Sequence, residues 1–192
     1  MDAGKLNERV ALLQYADGDW QEVSILWGSA EQSEKSNLFS SVGIGARNVE
    51  FVIRRRQISL HNALKWRGKH CFLTGITDEG RGHLRVTAAL IEPVACKSFR
   101  SSTTHNANRN PVHTPEPLFD FKACVTEKYM GFMQQQPQAQ IKETLVLVTP
   151  KSVELKMGDI IEILERGRYF VTLPHTIDEF KNEYEVQRTK EG

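Results

Sequence analysis

Val49-Glu50-Phe51-Val52-Ile53-Arg54-Arg55-Arg56 (VEFVIRRR, residues 49–56) decides the fold class. Apolar residues recur at every second position, so Val49, Phe51 and Ile53 share one face of an extended chain. β-branched and aromatic residues suit a pleated, half-buried surface better than a helix. The stretch predicts a β-strand that buries one face and ends in a basic run.

The neighbours upstream and downstream read the same way. Arg9 to Tyr15 (RVALLQY) is a strand candidate, closed by the turn residues Asp17-Gly18-Asp19. Trp20 to Gln32 resumes an extended pattern with Val23, Ile25 and Trp27 on one side. Leu64–Trp66, then Arg67-Gly68, then His70–Ile76 predict a hairpin on a glycine turn. Thr77–Gly82 is a second turn, His83–Ile91 a strand, and Pro93 a stop. Helix signals are weak throughout; Ser33–Phe39 has room for one or two turns at most.

Lys97 to Pro117 (KSFRSSTTHNANRNPVHTPEP) is rich in Ser, Thr, Asn and Pro and has no apolar periodicity. A stretch of this kind buries too little to offset its ordering entropy, which predicts a linker over 96–117. A first unit then occupies 1–95 and a second 118–192. In the second unit Phe119–Glu127, Lys142–Thr149, Ile160–Leu164, Tyr169–Leu173 and Tyr184–Arg188 read as strands. Leu145, Leu147, Ile161, Ile163, Phe170 and Tyr184 are its expected core. The fold expected is all-β: two small antiparallel barrels or sandwiches in tandem, joined by a polar linker.

Local similarities between the halves suggest an internal duplication. Trp66–His70 matches Glu165–Tyr169, Ile76–Asp78 matches His175–Asp178, and Leu84–Val86 matches Tyr184–Val186. Trp27 falls opposite Phe121, and Val49–Ile53 opposite Glu143–Leu147.

Composition narrows the function. The 192 residues carry a formal net charge of +1, are 40% hydrophobic and 26% charged, and include three cysteines. Near-neutral charge argues against a strongly electrostatic nucleic-acid binder. No apolar run is long enough for a membrane helix, and Met1–Val10 has no signal-peptide core. Cys71, Cys96 and Cys124 form no C-x-x-C pair, so reduced thiols are expected. The six histidines show no zinc spacing. Asp78-Glu79 and Asp178-Glu179 read as solvated turn charges. Val42–Arg47 lacks the third glycine and following helix of a phosphate loop. No catalytic constellation, cofactor site or metal site is expected.

Five motifs in order resemble the head–tail joining (head-closure) family of tailed bacteriophages. They are Gly4–Val10 (GKLNERV), Ile25–Glu31 (ILWGSAE), Phe51–Arg56 (FVIRRR), Leu64–Lys69 (LKWRGK), and Cys71–Pro93 with its closing Glu-Pro. The resemblance covers the first half of the chain. It implies a small β-barrel that assembles as a ring, usually a hexamer, between a portal or adaptor protein and a tail protein. The ring closes the DNA-filled head at the neck of a virion assembled in the host cytoplasm, without catalysis and without a membrane partner. It also implies that the loop Ser33–Asn48 faces the channel traversed by double-stranded DNA, with Leu38, Gly43, Gly45 and Arg47 as its expected contact residues. For Arg54, Arg55 and Arg56 three readings stay open: a solvated strand end, salt bridges to a neighbouring subunit, or contact with DNA phosphates. In the second unit the Met130, Phe132 and Met133 cluster is an expected contact surface. The alternatives are a tail-completion or tail-terminator component, and a nucleic-acid-binding barrel.

Overall fold

The computed structural model describes residues 6–36, 43–44, 47–105, 108, 110–128 and 144–189. The chain divides after Pro93 into two compact units. Among the described residues the first contains β1 (Glu8–Ala16), β2 (Asp19–Ser36), the two-residue β3 (Gly43–Ile44), β4 (Arg47–Arg54), β5 (Asn62–Trp66), β6 (Lys69–Gly80) and β7 (His83–Leu90). The second contains β8 (Val94–His105), β9 (Pro111–Lys128), β10 (Thr144–Pro150), β11 (Ile160–Ile163), β12 (Gly167–His175) and β13 (Lys181–Arg188).

Both units are closed, six-stranded antiparallel barrels. The first runs β1-β2-β4-β7-β6-β5 and returns from β5 to β1. Its hairpins turn on the pairs Asp17-Gly18, Arg67-Gly68 and Arg81-Gly82, all with positive φ. Two consecutive left-handed residues match the right-handed twist of the flanking strands, and glycine takes that conformation without strain. Its core contains Val10, Leu12, Leu26, Val49, Phe51, Ile53, Leu64, Trp66, Cys71, Leu73, Val86 and Ala88. The expected face of Val49, Phe51 and Ile53 therefore points inward.

The second barrel runs β8-β9-β10-β13-β12-β11 and closes from β11 to β8. In chain order both barrels follow the sequence first, second, third, sixth, fifth, fourth strand. Register matches as well. The pairs Val10–Leu26, Ala30–Phe51, Phe51–Val86, Leu73–Ala88, Trp66–Lys69 and Val10–Trp66 have as counterparts Cys96–Phe121, Val125–Leu147, Leu147–Tyr184, Val171–Val186, Ile163–Gly167 and Cys96–Ile163. One assignment of equivalent residues satisfies every strand pairing around the circle. The bulges at Thr74 and Thr172 coincide under it.

The equivalent core positions are buried in both barrels, with volume redistributed. Phe51 and Trp66, in edge-to-face contact at 5.9 Å, correspond to the smaller Leu147 and Ile163. Val86 and Cys71 correspond to the larger Tyr184 and Tyr169, all buried. Cores tolerate such exchange when total volume is kept.

Three sequence expectations need correction. The segment 96–117 is not a linker: β8 and β9 pair across it from Val94–Ala123 to His105–Pro111 and supply the first two strands of the second barrel. In β9 every residue from Thr114 to Asp120 is exposed, on both faces, which removes the alternation a strand normally displays. Pro111, Pro115 and Pro117 all sit at odd positions, so their missing N–H groups fall on one edge of β9 and leave the other free for pairing. The matching of the halves also shifts by one or two residues. Val49–Ile53 lies opposite Leu145–Thr149, and Trp66 opposite Ile163. The two glycine turns are not equivalent, because Leu164–Arg166 holds one more residue than Arg67-Gly68. Finally, Phe170 is only half-buried; Tyr169 and Val171 are the inward residues of β12.

Candidate interaction surface

The apolar stripe expected on β2 faces water. Alternation that buries Leu26 turns Ile25 and Trp27 outward, with Val23 beside them at a bulge. Trp27 is 58% exposed, large for an indole. On β1, Arg9 stands directly opposite Trp27 and Ala11 opposite Ile25.

The basic run meets this stripe. β4 ends at Arg54, so strict alternation stops there and Arg54, Arg55 and Arg56 line one groove rather than two faces. The Arg55 backbone N–H donates to the Gly82 carbonyl at 2.7 Å, and its guanidinium pairs with Asp78. Arg56 Nη2 donates to Ser24 Oγ at 3.0 Å. The groove has a volume of about 360 Å³, with Leu6, Ile25, Leu26 and Trp27 as its apolar wall. Arg54 and Arg9 are exposed and have no ion-pair partner among the described residues. The Asp78 carboxyl is held below the usual range, first by the Gly80 N–H and then by Arg55. Arg85 bridges Glu50 and Glu79 across β4, β6 and β7.

A second cluster ties the barrel's opening to its central hairpin. Glu8 accepts from Trp66 Nε1 at 3.0 Å and from Arg67 Nη2 at 2.6 Å, and the Arg67 guanidinium lies 4.5 Å from the Trp66 ring centre. Its carboxyl is held below the ordinary value, first by Arg67 and then by Trp66.

The remaining expected contact residues divide. Arg47 is the exposed first residue of β4, opposite Leu90, and Gly43 lies in β3. Ser33–Ser36 and Arg47-Asn48 belong to strands, not to a loop, because the Ser36–Arg47 pair continues the β2–β4 ladder. Leu38, Gly45, Met130, Phe132 and Met133 lie outside the described residues. Among the described residues no group of three His, Cys, Asp or Glu side chains gathers to hold a metal. No described helix is long and apolar enough to cross a membrane. Sequence reading missed Arg9 and the fully exposed Ile177; the only sequence signal for the latter is an isoleucine inside the polar run Thr176–Glu179.

No protein-family model, curated protein or solved structure matches the chain.

Proposed function

We propose that this chain is a structural neck protein of a tailed bacteriophage, forming a ring, six-fold when assembled, that closes the filled head and joins it to the tail. The portal or adaptor is its upstream partner, a tail protein its downstream partner, and double-stranded DNA passes through its channel. The second barrel is a duplicated copy of the first, supported by shared connectivity and register.

The observation that carries the reading is the Glu8–Trp66–Arg67 cluster. Glu8 belongs to the opening GKLNERV motif and Trp66-Arg67 to the LKWRGK turn. Two segments that carry the resemblance far apart in sequence are physically coupled in one barrel. The five motifs fall in order along that barrel, and the unit ends at Pro93, where the resembling stretch ends.

The test is negative-stain microscopy of the purified protein mixed with filled, tailless particles. A six-fold ring at the portal vertex is expected. Absence of attachment would sink the reading, and another symmetry would point to a different neck component.

A further inference from the structure

The connection between β12 and β13 holds Ile177 wholly in water, 100% exposed. The loop around it is tied down. Lys151 Nζ donates to the carbonyls of Thr176 and Asp178 at 2.8 and 2.7 Å. Asp178 Oδ1 accepts the backbone N–H groups of Phe180 and Lys181 at 2.8 and 3.1 Å. The result is a fixed apolar tip followed by two carboxylates. Glu179 has no ion-pair partner among the described residues. A loop already held in shape loses little further entropy on docking.

The groove on the first barrel has the converse chemistry: an apolar wall of Ile25 and Trp27, and beside it Arg54, which has no ion-pair partner among the described residues. We propose that the Ile177 loop of one copy seats in the Ile25–Trp27 groove of a second copy, with Ile177 against the indole and Glu179 paired to Arg54. Knob and socket are different surfaces, so the contact is heterologous and repeats from copy to copy. This inference rests on the ring-forming reading above and names the contact that builds the ring.

The native cysteines are buried, which leaves introduced surface thiols as the reactive ones. Ile177→Cys and Ile25→Cys proteins, mixed and oxidised with glutathione disulfide, should give a dimer linked between the two substituted positions. Ile177→Asp should raise the concentration for half-assembly by about tenfold or more. Glu179→Arg and Arg54→Glu should each weaken assembly, and the two together should restore it. No linked dimer at concentrations where the protein attaches to particles overturns the proposal, as does unchanged assembly of Ile177→Asp. So does a labelled duplex oligonucleotide whose binding is lost in Trp27→Ala and Arg54→Glu but kept in Ile177→Asp, which assigns the groove to nucleic acid. A linked dimer without attachment to tailless particles keeps this contact and removes the neck reading; attachment without the dimer does the reverse.

Discussion

Arg100 forks onto the carboxylate of Asp159, Nε and Nη2 donating at 2.7 and 2.8 Å to its two oxygens, and the Asp159 side chain is only 2% exposed. Asp159 also accepts the Lys156 backbone N–H at 2.7 Å, closing the turn before β11. The hydrogen bond to Asp159 raises the Arg100 pKa further above its ordinary value. A bidentate pair of this kind fixes geometry as well as charge. It joins β8, inside the segment that reads as a linker, to the residue just before its neighbouring strand β11, one step beyond the Phe99–Ile160 pair where the second barrel closes.

The two partners are not equivalent under mutation. Asp159→Ala leaves an arginine that still reaches water and an unpaired Lys156 N–H, and should cost about 1.5–3 kcal/mol. Arg100→Ala strands a buried carboxylate and should cost more. Urea unfolding of the second barrel checks the order. Equal losses would mean that the carboxylate finds another donor.

Because all of β8 and the first part of β9 precede Leu118, fragment boundaries decide folding. Residues 94–192 contain all six strands of the second barrel and should unfold in one cooperative thermal transition. Residues 118–192 lack β8, leaving one edge of β11 unpaired and the barrel open, and should show no transition. A cooperative 118–192 fragment would contradict the closed barrel.

A methyl group at Gly28 would stand 2.8 Å from the Val52 carbonyl oxygen and 2.9 Å from Ile53 Cγ2. Backbone cannot swing aside as a flexible side chain can. Gly28→Ala should destabilise the first barrel by about 1–3 kcal/mol, read as a lower urea midpoint with unchanged slope. Ser29→Ala, one residue away on the other face, is the control and should change little.

Burial pushes the Cys71 and Cys96 thiols up to about 12 from an ordinary 9.0. Below pH 9 folded and unfolded chains both hold these protons, and the contribution to stability is fully present. Between pH 9 and about 12 the unfolded chain releases them while the folded chain does not, so stability falls as pH rises through that window. Tyr184, whose pKa burial also raises, acts in the same direction. Melting temperatures measured across this range should decline, and less steeply in Cys71→Ala. At pH 8 iodoacetamide should leave Cys71 and Cys96 unmodified in the folded protein and modify both in denaturant, by mass spectrometry.

How the site came to be legible follows from the same alternation. Every second residue of 49–53 is apolar, and that alone places Val49, Phe51 and Ile53 on one face; Arg54, Arg55 and Arg56 stand out as a basic run without any structure. Ile25 and Trp27 carry the same period, but period gives a shared face and not its direction. Leu26 points inward because β2 is pinned between β1 and β4, where Val10 faces Leu26 and Ala30 faces Phe51.

The sequence by itself determined the all-β class, the hairpins on Asp17-Gly18 and Arg67-Gly68, and the presence of two tandem units, because each rests on interactions within a few residues: side-chain alternation and the left-handed freedom of glycine. Only the tertiary structure decided that 96–117 is a strand pair, that each unit closes into a barrel, and that Arg100 meets Asp159. Those features depend on partners distant in the chain. A strand exposed on both faces carries no apolar period, so its identity is set by backbone hydrogen bonds to another strand, which residue types do not encode.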